Sequence, residues 1–226
     1  MVFSIWHFVR GIIFDLDGVL TDSMPAHYKA WEIAFKEVAN MNVDERLIYL
    51  LEGMRGSELV KTIFEQKGFR NYTLVEKVNS RKNEIFKETI SNIESYYETT
   101  ELVASLGCSK AVVSGSAKED VETIIDRSFG KELFDRIITA DDIGKGKPDP
   151  SSFLVALKKM NLKPSQTMVV ENAPLGVQAA NSAGIKCIVV LNNTPLMISD
   201  FESVISEDGI FKETRSAKNV LQSWCK

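Results

Sequence analysis

The 226-residue sequence lacks the features that mark several classes of protein. Its three cysteines, Cys108, Cys187 and Cys225, lie far apart and form no CxxC pair. They therefore indicate neither a zinc site nor a disulfide framework, and they fit a reduced, cytoplasmic setting. Basic residues are not in excess, because the net charge is -4. The sequence gives no electrostatic reason to expect nucleic acid or an anionic membrane as a partner.

Long hydrophobic runs, repeats and low-complexity segments are also missing. The N-terminal stretch MVFSIWHFVRG is apolar, but Ser4, His7 and Arg10 interrupt it. It has neither a basic leader region nor a small-residue cleavage site, and it is too short to span a bilayer. We expect residues 1–9 to lead into the first strand, with His7 as an ordinary surface or edge residue.

What the sequence does contain is enough apolar material for a sizeable core. Hydrophobic residues make up 44% of the chain and charged residues 26%. This balance is typical of one larger globular domain, or of one domain with a small accessory domain.

Two acids follow the first strongly apolar run, in the stretch GIIFDLDGVLTDS at residues 11–23. A short continuous apolar run predicts a strand that is covered on both faces, and ligands of open α/β sheets lie beyond the carboxyl ends of such strands. Asp15 and Asp17 would lie at that edge, where Gly18 permits a turn. One carboxylate could attack a substrate while the other moves a proton. A surface turn is the alternative, since Asp and Gly are common turn residues.

Residues 24–93 show apolar residues at helical spacing among many charges, and they predict a small all-helical segment inserted after the first strand. Strands and helices alternate afterwards. Polar residues follow three of the later strands, at Ser114-Gly115, at Lys147 and at Glu171-Asn172. Near the end we expect an edge strand over 201–205 and a helix over 216–224. The fold class predicted is α/β, a Rossmann-like parallel sheet with helices on both faces and a helical insert.

The run D-L-D-G-V-L-T-D-S resembles the first motif of the haloacid dehalogenase superfamily. K-P-D-P, which contains Lys147, and the serine Ser114 resemble two further motifs. The resemblance implies that Asp15 is a nucleophile, that Asp17 is a general acid and base, and that Ser114 and Lys147 bind the transferring phosphoryl group. Without the resemblance, Ser114 could also be read as an ordinary residue of a strand-to-helix turn.

The fourth motif departs from the family pattern, which usually has two acids as E-D. Here the pair is Glu171 and Asn172. The resemblance implies Mg²⁺ held by the Asp15 carboxylate, the Asp17 backbone carbonyl and Glu171, Asn172 or both. Because an amide oxygen carries no full charge, we expect weaker metal affinity than in relatives.

The resemblance also implies that residues 23–93 form a helical cap domain over a core of 1–22 and 94–226. His27 and Lys82 match cap residues of β-phosphoglucomutase-like members, and either could instead be an ordinary helix residue. Arg55 lies between two glycines in GMRGS and could grip an anion, or it could belong to a simple helix connection. With Ser114 and Gly115, these residues form the expected substrate site.

The expected function is a Mg²⁺-dependent phosphatase for a small phosphorylated metabolite, acting as a monomer through an aspartyl-phosphate. Dehalogenation and phosphonate cleavage are disfavoured by the acid Asp17 within this resemblance. The alternatives are a phosphosugar mutase of the β-phosphoglucomutase type, and a non-catalytic protein that binds phosphometabolites.

Overall fold

The structure, a computed structural model, describes residues 9–225. The prediction for His7 therefore lies outside the described residues. Val9, the last residue of the expected lead-in, is buried, and its amide donates to the Trp224 carbonyl oxygen at 2.9 Å. Over residues 9–225 no helix is long and apolar enough to cross a membrane.

A six-stranded parallel sheet forms the centre of the described chain, in the order β3-β2-β1-β4-β5-β6. The strands are β1 (Gly11–Asp15), β2 (Ser109–Val113), β3 (Arg136–Ile138), β4 (Thr167–Glu171), β5 (Lys186–Val190) and β6 (Ile210–Phe211). The first strand pairs with β2 on one side and β4 on the other. The residues that follow these three strands therefore meet at one edge of the sheet, as the sequence predicted.

Helices cover both faces of the sheet because its central strands are apolar on both sides. The helices after the insert are α5 (Thr99–Ser105), α6 (Lys118–Ser128), α7 (Ser151–Met160), α8 (Pro174–Ser182) and α9 (Lys218–Trp224). Ile12 and Phe14 face a core cluster shared with α5, α6 and α9, while Ile13 faces a cluster shared with α7 and α8. The predicted α/β fold is confirmed.

The helical insert contains α1 (Met24–Ala39), α2 (Glu45–Leu50), α3 (Gly56–Gln66) and α4 (Val75–Thr89). Its helices enclose a hydrophobic cluster of their own, in which Phe35, Ile63, Phe64 and Val78 are fully buried. The helical spacing in the sequence predicted these buried positions.

Two predictions about the C-terminal part are wrong. Residues 201–205 form turns rather than a strand, and the sheet edge is supplied by β6. The cysteines are not all unpaired, because Cys108 and Cys225 form a disulfide with their Cα atoms 5.1 Å apart. The terminal helix α9 packs beside the start of β2 and brings together two residues that are 117 positions apart in sequence. Spacing along the chain gives no sign of such a contact.

Candidate active site

Asp15 and Asp17 lie beside each other at the end of β1. Both are buried, with 4% and 7% of their surface exposed, and both line a cavity of about 500 Å³ between the sheet edge and the helical insert. Gly18 takes a φ of +83°, which favours glycine, and a Cβ there would collide with the side-chain amide of Asn172. The turn predicted after β1 thus brings both acids into one cavity.

Lys147 lies next to this pair, and its ammonium group contacts two carboxylates. Its Nζ donates to Asp15 Oδ1 and to Glu171 Oε1. Burial lowers the pKa of Lys147, but the attraction of Asp15 and Glu171 outweighs burial and raises it above the ordinary value. The lysine therefore stays charged and connects the last residue of β1 to the last residue of β4.

The nucleophile candidate Asp15 is in a strongly negative environment. Its pKa is raised from 3.8 to about 8: burial is the main cause, Lys147 lowers the pKa, and Glu171 and Asp17 raise it. One ammonium group does not balance the buried acids around it. Further positive charge at this place would favour the ionised carboxylate that attack requires.

Asp17 accepts hydrogen bonds from three side chains. Ser114 Oγ donates to its Oδ2 at 3.0 Å, while Ser23 Oγ at 2.5 Å and His27 Nε2 at 3.2 Å contact its Oδ1. Burial raises the pKa of Asp17, but His27 and the bonds from Ser23 and Ser114 outweigh it and bring the pKa below 3.8. The predicted role of Ser114 toward a phosphoryl group stays a prediction. Ser23 was missed by the sequence analysis, although it ends the stretch LTDS.

His27 and Lys82 extend the site into the insert. The His27 ring stacks on Phe86 with 3.8 Å between centroids, and burial and Lys82 lower its pKa from 6.5. Lys82 Nζ lies 4.6 Å from the Phe86 centroid and 5.4 Å from that of Trp31, and burial lowers its pKa to about 8. Both predicted residues line the cavity.

The loop between α2 and α3 presses against the core. The Gly53 carbonyl oxygen accepts from the Lys147 amide at 2.9 Å, and Gly53 takes a φ of +89°. Arg55 Nη2 donates to the carbonyl oxygens of Ala140 at 3.2 Å and Ile143 at 3.0 Å. Arg55 and Gly115 line the cavity, but the guanidinium group of Arg55 is directed to the core backbone. These contacts hold the loop of the insert against the core.

The expected metal ligands lie together behind the Asp pair. Glu171 Oε2 accepts from the amides of Asn172 at 3.0 Å and Ala173 at 3.3 Å. Within residues 9–225 no three His, Cys, Asp or Glu side chains converge on a common metal position. Asn172 is 1% exposed, however, and its Oδ1 has no hydrogen-bond partner. Two carboxylates, Asp15 and Glu171, with an unsatisfied amide oxygen suit Mg²⁺, which takes few protein ligands and keeps several waters. The residues present fit the ion.

Glu52 is a further acid at this place that the sequence analysis missed. It lies just before Gly53, and its Oε2 accepts from Asn172 Nδ2 at 2.9 Å. Burial and the charges of Asp15, Glu171 and Asp17 raise its pKa well above 4.5. In the sequence, the only local indication that Glu52 belongs to the site was its position beside the glycines of the loop.

Comparison with known proteins agrees with this geometry. A family model described as haloacid dehalogenase-like hydrolase matches residues 12–190. The chain is 27% identical to a phosphorylated carbohydrates phosphatase from Thermotoga maritima, covering 80% of this chain and 84% of that protein. It is also 27% identical to a β-phosphoglucomutase from Bacillus subtilis, covering 85% and 88%.

The fold is also that of a solved relative. The structure of a β-phosphoglucomutase from Clostridium difficile, 22% identical, superposes with a TM-score of 0.81 over 96% of each chain. The resemblance carried by the four motifs is confirmed, and the chain belongs to the family of haloacid dehalogenase-like hydrolases, with phosphatases and β-phosphoglucomutases among its relatives.

Proposed function

We propose that this protein is a Mg²⁺-dependent phosphatase that hydrolyses a small phosphomonoester, such as a sugar phosphate, through an aspartyl-phosphate on Asp15. The observation that carries the proposal is the Asp pair in the cavity between the sheet edge and the insert, with Lys147 bonded to Asp15. Phosphatases of phosphorylated metabolites among the relatives support it. A cavity of about 500 Å³ is the size of small-ligand pockets.

In the proposed reaction, Asp15 Oδ bonds to the phosphorus as the bond from phosphorus to the alcohol oxygen breaks, and the protonated form of Asp17 gives its proton to that oxygen. Asp17 then removes a proton from water, and the resulting hydroxide cleaves the aspartyl-phosphate. Ser114 and Lys147 hold the phosphoryl oxygens, and the backbone amide of Gly115, which lines the cavity, would donate to them. Asp15, the Asp17 carbonyl, Glu171 and Asn172 would hold Mg²⁺, which supplies positive charge against the phosphoryl oxygens.

Residues 23–93 act in this proposal as a cap domain over a core of 1–22 and 94–226. The separate hydrophobic cluster of the insert supports this division. A closed cap excludes water from the attacking carboxylate. Lys82 would attract the anionic substrate, and Arg55 would hold the closed loop or contact the substrate. His27 would orient Asp17, which it already contacts.

A mutase of the β-phosphoglucomutase type is the second candidate, and the contact of His27 with Asp17 favours it together with the Bacillus subtilis relative. In that reaction a sugar hydroxyl replaces water as the acceptor. Incubation with β-glucose 1-phosphate and a trace of its bisphosphate separates the two. Inorganic phosphate is the product expected of a phosphatase, and glucose 6-phosphate is the product expected of a mutase.

The proposal is tested directly by hydrolysis of p-nitrophenyl phosphate. We expect Mg²⁺-dependent turnover that is lost in Asp15→Asn, and a beryllium fluoride adduct on Asp15. Absence of both turnover and adduct in the wild-type protein would favour the non-catalytic binding protein. A panel of phosphorylated sugars, glycolate and nucleotides then identifies the substrate.

We further propose that the protein acts as a monomer in the cytoplasm, where small phosphorylated metabolites are abundant. The Cys108–Cys225 disulfide is a type of bond that is rare in that compartment. Size-exclusion chromatography tests the monomer, and fractionation of cells, combined with thiol labelling of the extracted protein, tests the compartment.

A further inference from the structure

Glu52 belongs to the insert, yet its carboxylate reaches the core behind the Asp pair. It lies between α2 and α3, in the loop that Gly53 and Arg55 attach to the core. Its Oε2 accepts from Asn172 Nδ2 at 2.9 Å across 120 positions of sequence. The contact joins the loop of the insert to the end of β4.

This contact fixes which way the Asn172 amide points. The NH₂ group of Asn172 donates to Glu52, so the amide oxygen faces away from it. That oxygen is buried and has no partner. A buried carbonyl oxygen without a donor costs free energy, and a cation beside it would remove that cost. Gly18 makes room for this amide position, because a Cβ there would collide with Asn172 Nδ2.

Glu52 also adds negative charge where the chain already has an excess. Asp15, Asp17 and Glu171 lie within electrostatic range of it, and Lys147 is the ammonium group that attracts it. A half-buried acid among like charges is destabilising unless further positive charge is present. At position 172 this chain has an asparagine where the family pattern usually has the second acid. Glu52 stands beside that position, on the insert.

We propose that Glu52 is a positioning residue for the divalent cation: it holds the Asn172 oxygen toward the ion and supplies the negative charge that Asn172 lacks. Cation binding and closure of the insert are then coupled in this protein. The inference rests on the metal site of the proposed function and deepens it. By linkage, the cation must stabilise the closed loop by the same factor by which closure strengthens cation binding.

Isothermal titration with Mg²⁺ alone, without substrate, tests the proposal. Glu52→Gln keeps the size of the side chain and removes its charge. We expect its Mg²⁺ affinity to fall about tenfold or more, the range seen when groups that support a metal ligand are changed. Adding Asn172→Asp to Glu52→Gln returns an acid to the core, and we expect affinity to recover to within about threefold of wild type.

A control variant and a second readout make the result specific. Glu58→Gln removes one exposed acid from α3, with the same change in net charge, and should leave the affinity unchanged. Hydrogen exchange of the loop amides at 53–57 gives a second readout, since Mg²⁺ should protect them in the wild type and much less in Glu52→Gln. Circular dichroism shows whether each variant is folded.

Wild-type Mg²⁺ affinity in Glu52→Gln, or an equal loss in the Asn172→Asp background, would overturn the proposal. If Mg²⁺ does not change the hydrogen-exchange rates of the amides at 53–57 in the wild type, the proposed coupling is overturned. The proposed phosphatase function would survive either result, since it fails only if Mg²⁺-dependent turnover and the Asp15 adduct are absent.

Discussion

Replacing Lys82 by methionine should stabilise the protein and weaken its catalysis. Lys82 is 8% exposed, and its ammonium group lies against the rings of Phe86 and Trp31. None of the carboxylates in residues 9–225 forms an ion pair with it. Burial is the main cause of its lowered pKa, while Asp17 and Asp120 attract it from a distance. Methionine has a similar length and helix propensity but no charge to bury.

The magnitude follows from proton linkage. Folding moves the pKa of Lys82 from 10.5 to about 8, and each pKa unit corresponds to about 1.4 kcal/mol. The unfolded chain holds this proton more tightly, so stability rises with pH between about 8 and 10.5. The charged lysine thus costs the folded state about 3 kcal/mol at pH 7, and Lys82→Met should recover most of it. At pH 10 the remaining gain should be about 1 kcal/mol or less.

Urea denaturation at pH 7 and pH 10 measures this directly, with Lys77→Met as the matched control. Lys77 lies on the same helix, α4, and is exposed, so its replacement should change stability by less than about 0.5 kcal/mol. Equal stability of Lys82→Met and wild type at pH 7, or the same gain at both pH values, would refute the reasoning. We also expect kcat/KM for a phosphomonoester to fall in Lys82→Met but not in Lys77→Met.

Three further perturbations test other parts of the structure. Phe86→Ala removes the ring beneath His27 and Lys82, and should lower the free energy of unfolding by about 3–5 kcal/mol, measured by urea denaturation; a loss below about 1 kcal/mol would contradict the packing. Arg55→Ala breaks the bonds of the loop to the core carbonyls, and should speed hydrogen exchange at 53–57; unchanged exchange would show that Arg55 does not hold the loop closed. Cys108→Ser opens the disulfide and should lower stability by about 2–4 kcal/mol without reductant but little with it; an equal loss in both buffers would point to packing instead.

The first strand shows how far local pattern determines this protein. Three apolar residues before Asp15 predicted a strand buried on both faces, and β1 is fully buried. The spacing of Phe35, Ile63 and Val78 likewise predicted helices and the residues in their core. These predictions succeeded because strand and helix periods are properties of neighbouring residues. The order of the motifs also placed Asp15, Lys147 and Glu171 at one edge of a parallel sheet.

Contacts between distant segments were decided only by the tertiary structure. The strand expected over 201–205 is a set of turns, because the sheet edge pairs with β6 instead. Cys108 meets Cys225, and Glu52 meets Asn172. Arg55 reaches the core backbone. Each depends on how helices pack across many intervening residues, and spacing along the chain carries no record of that packing. The sequence by itself determined which polar side chains lie at the edge of the sheet. The packing of the insert determined which further side chains contact them.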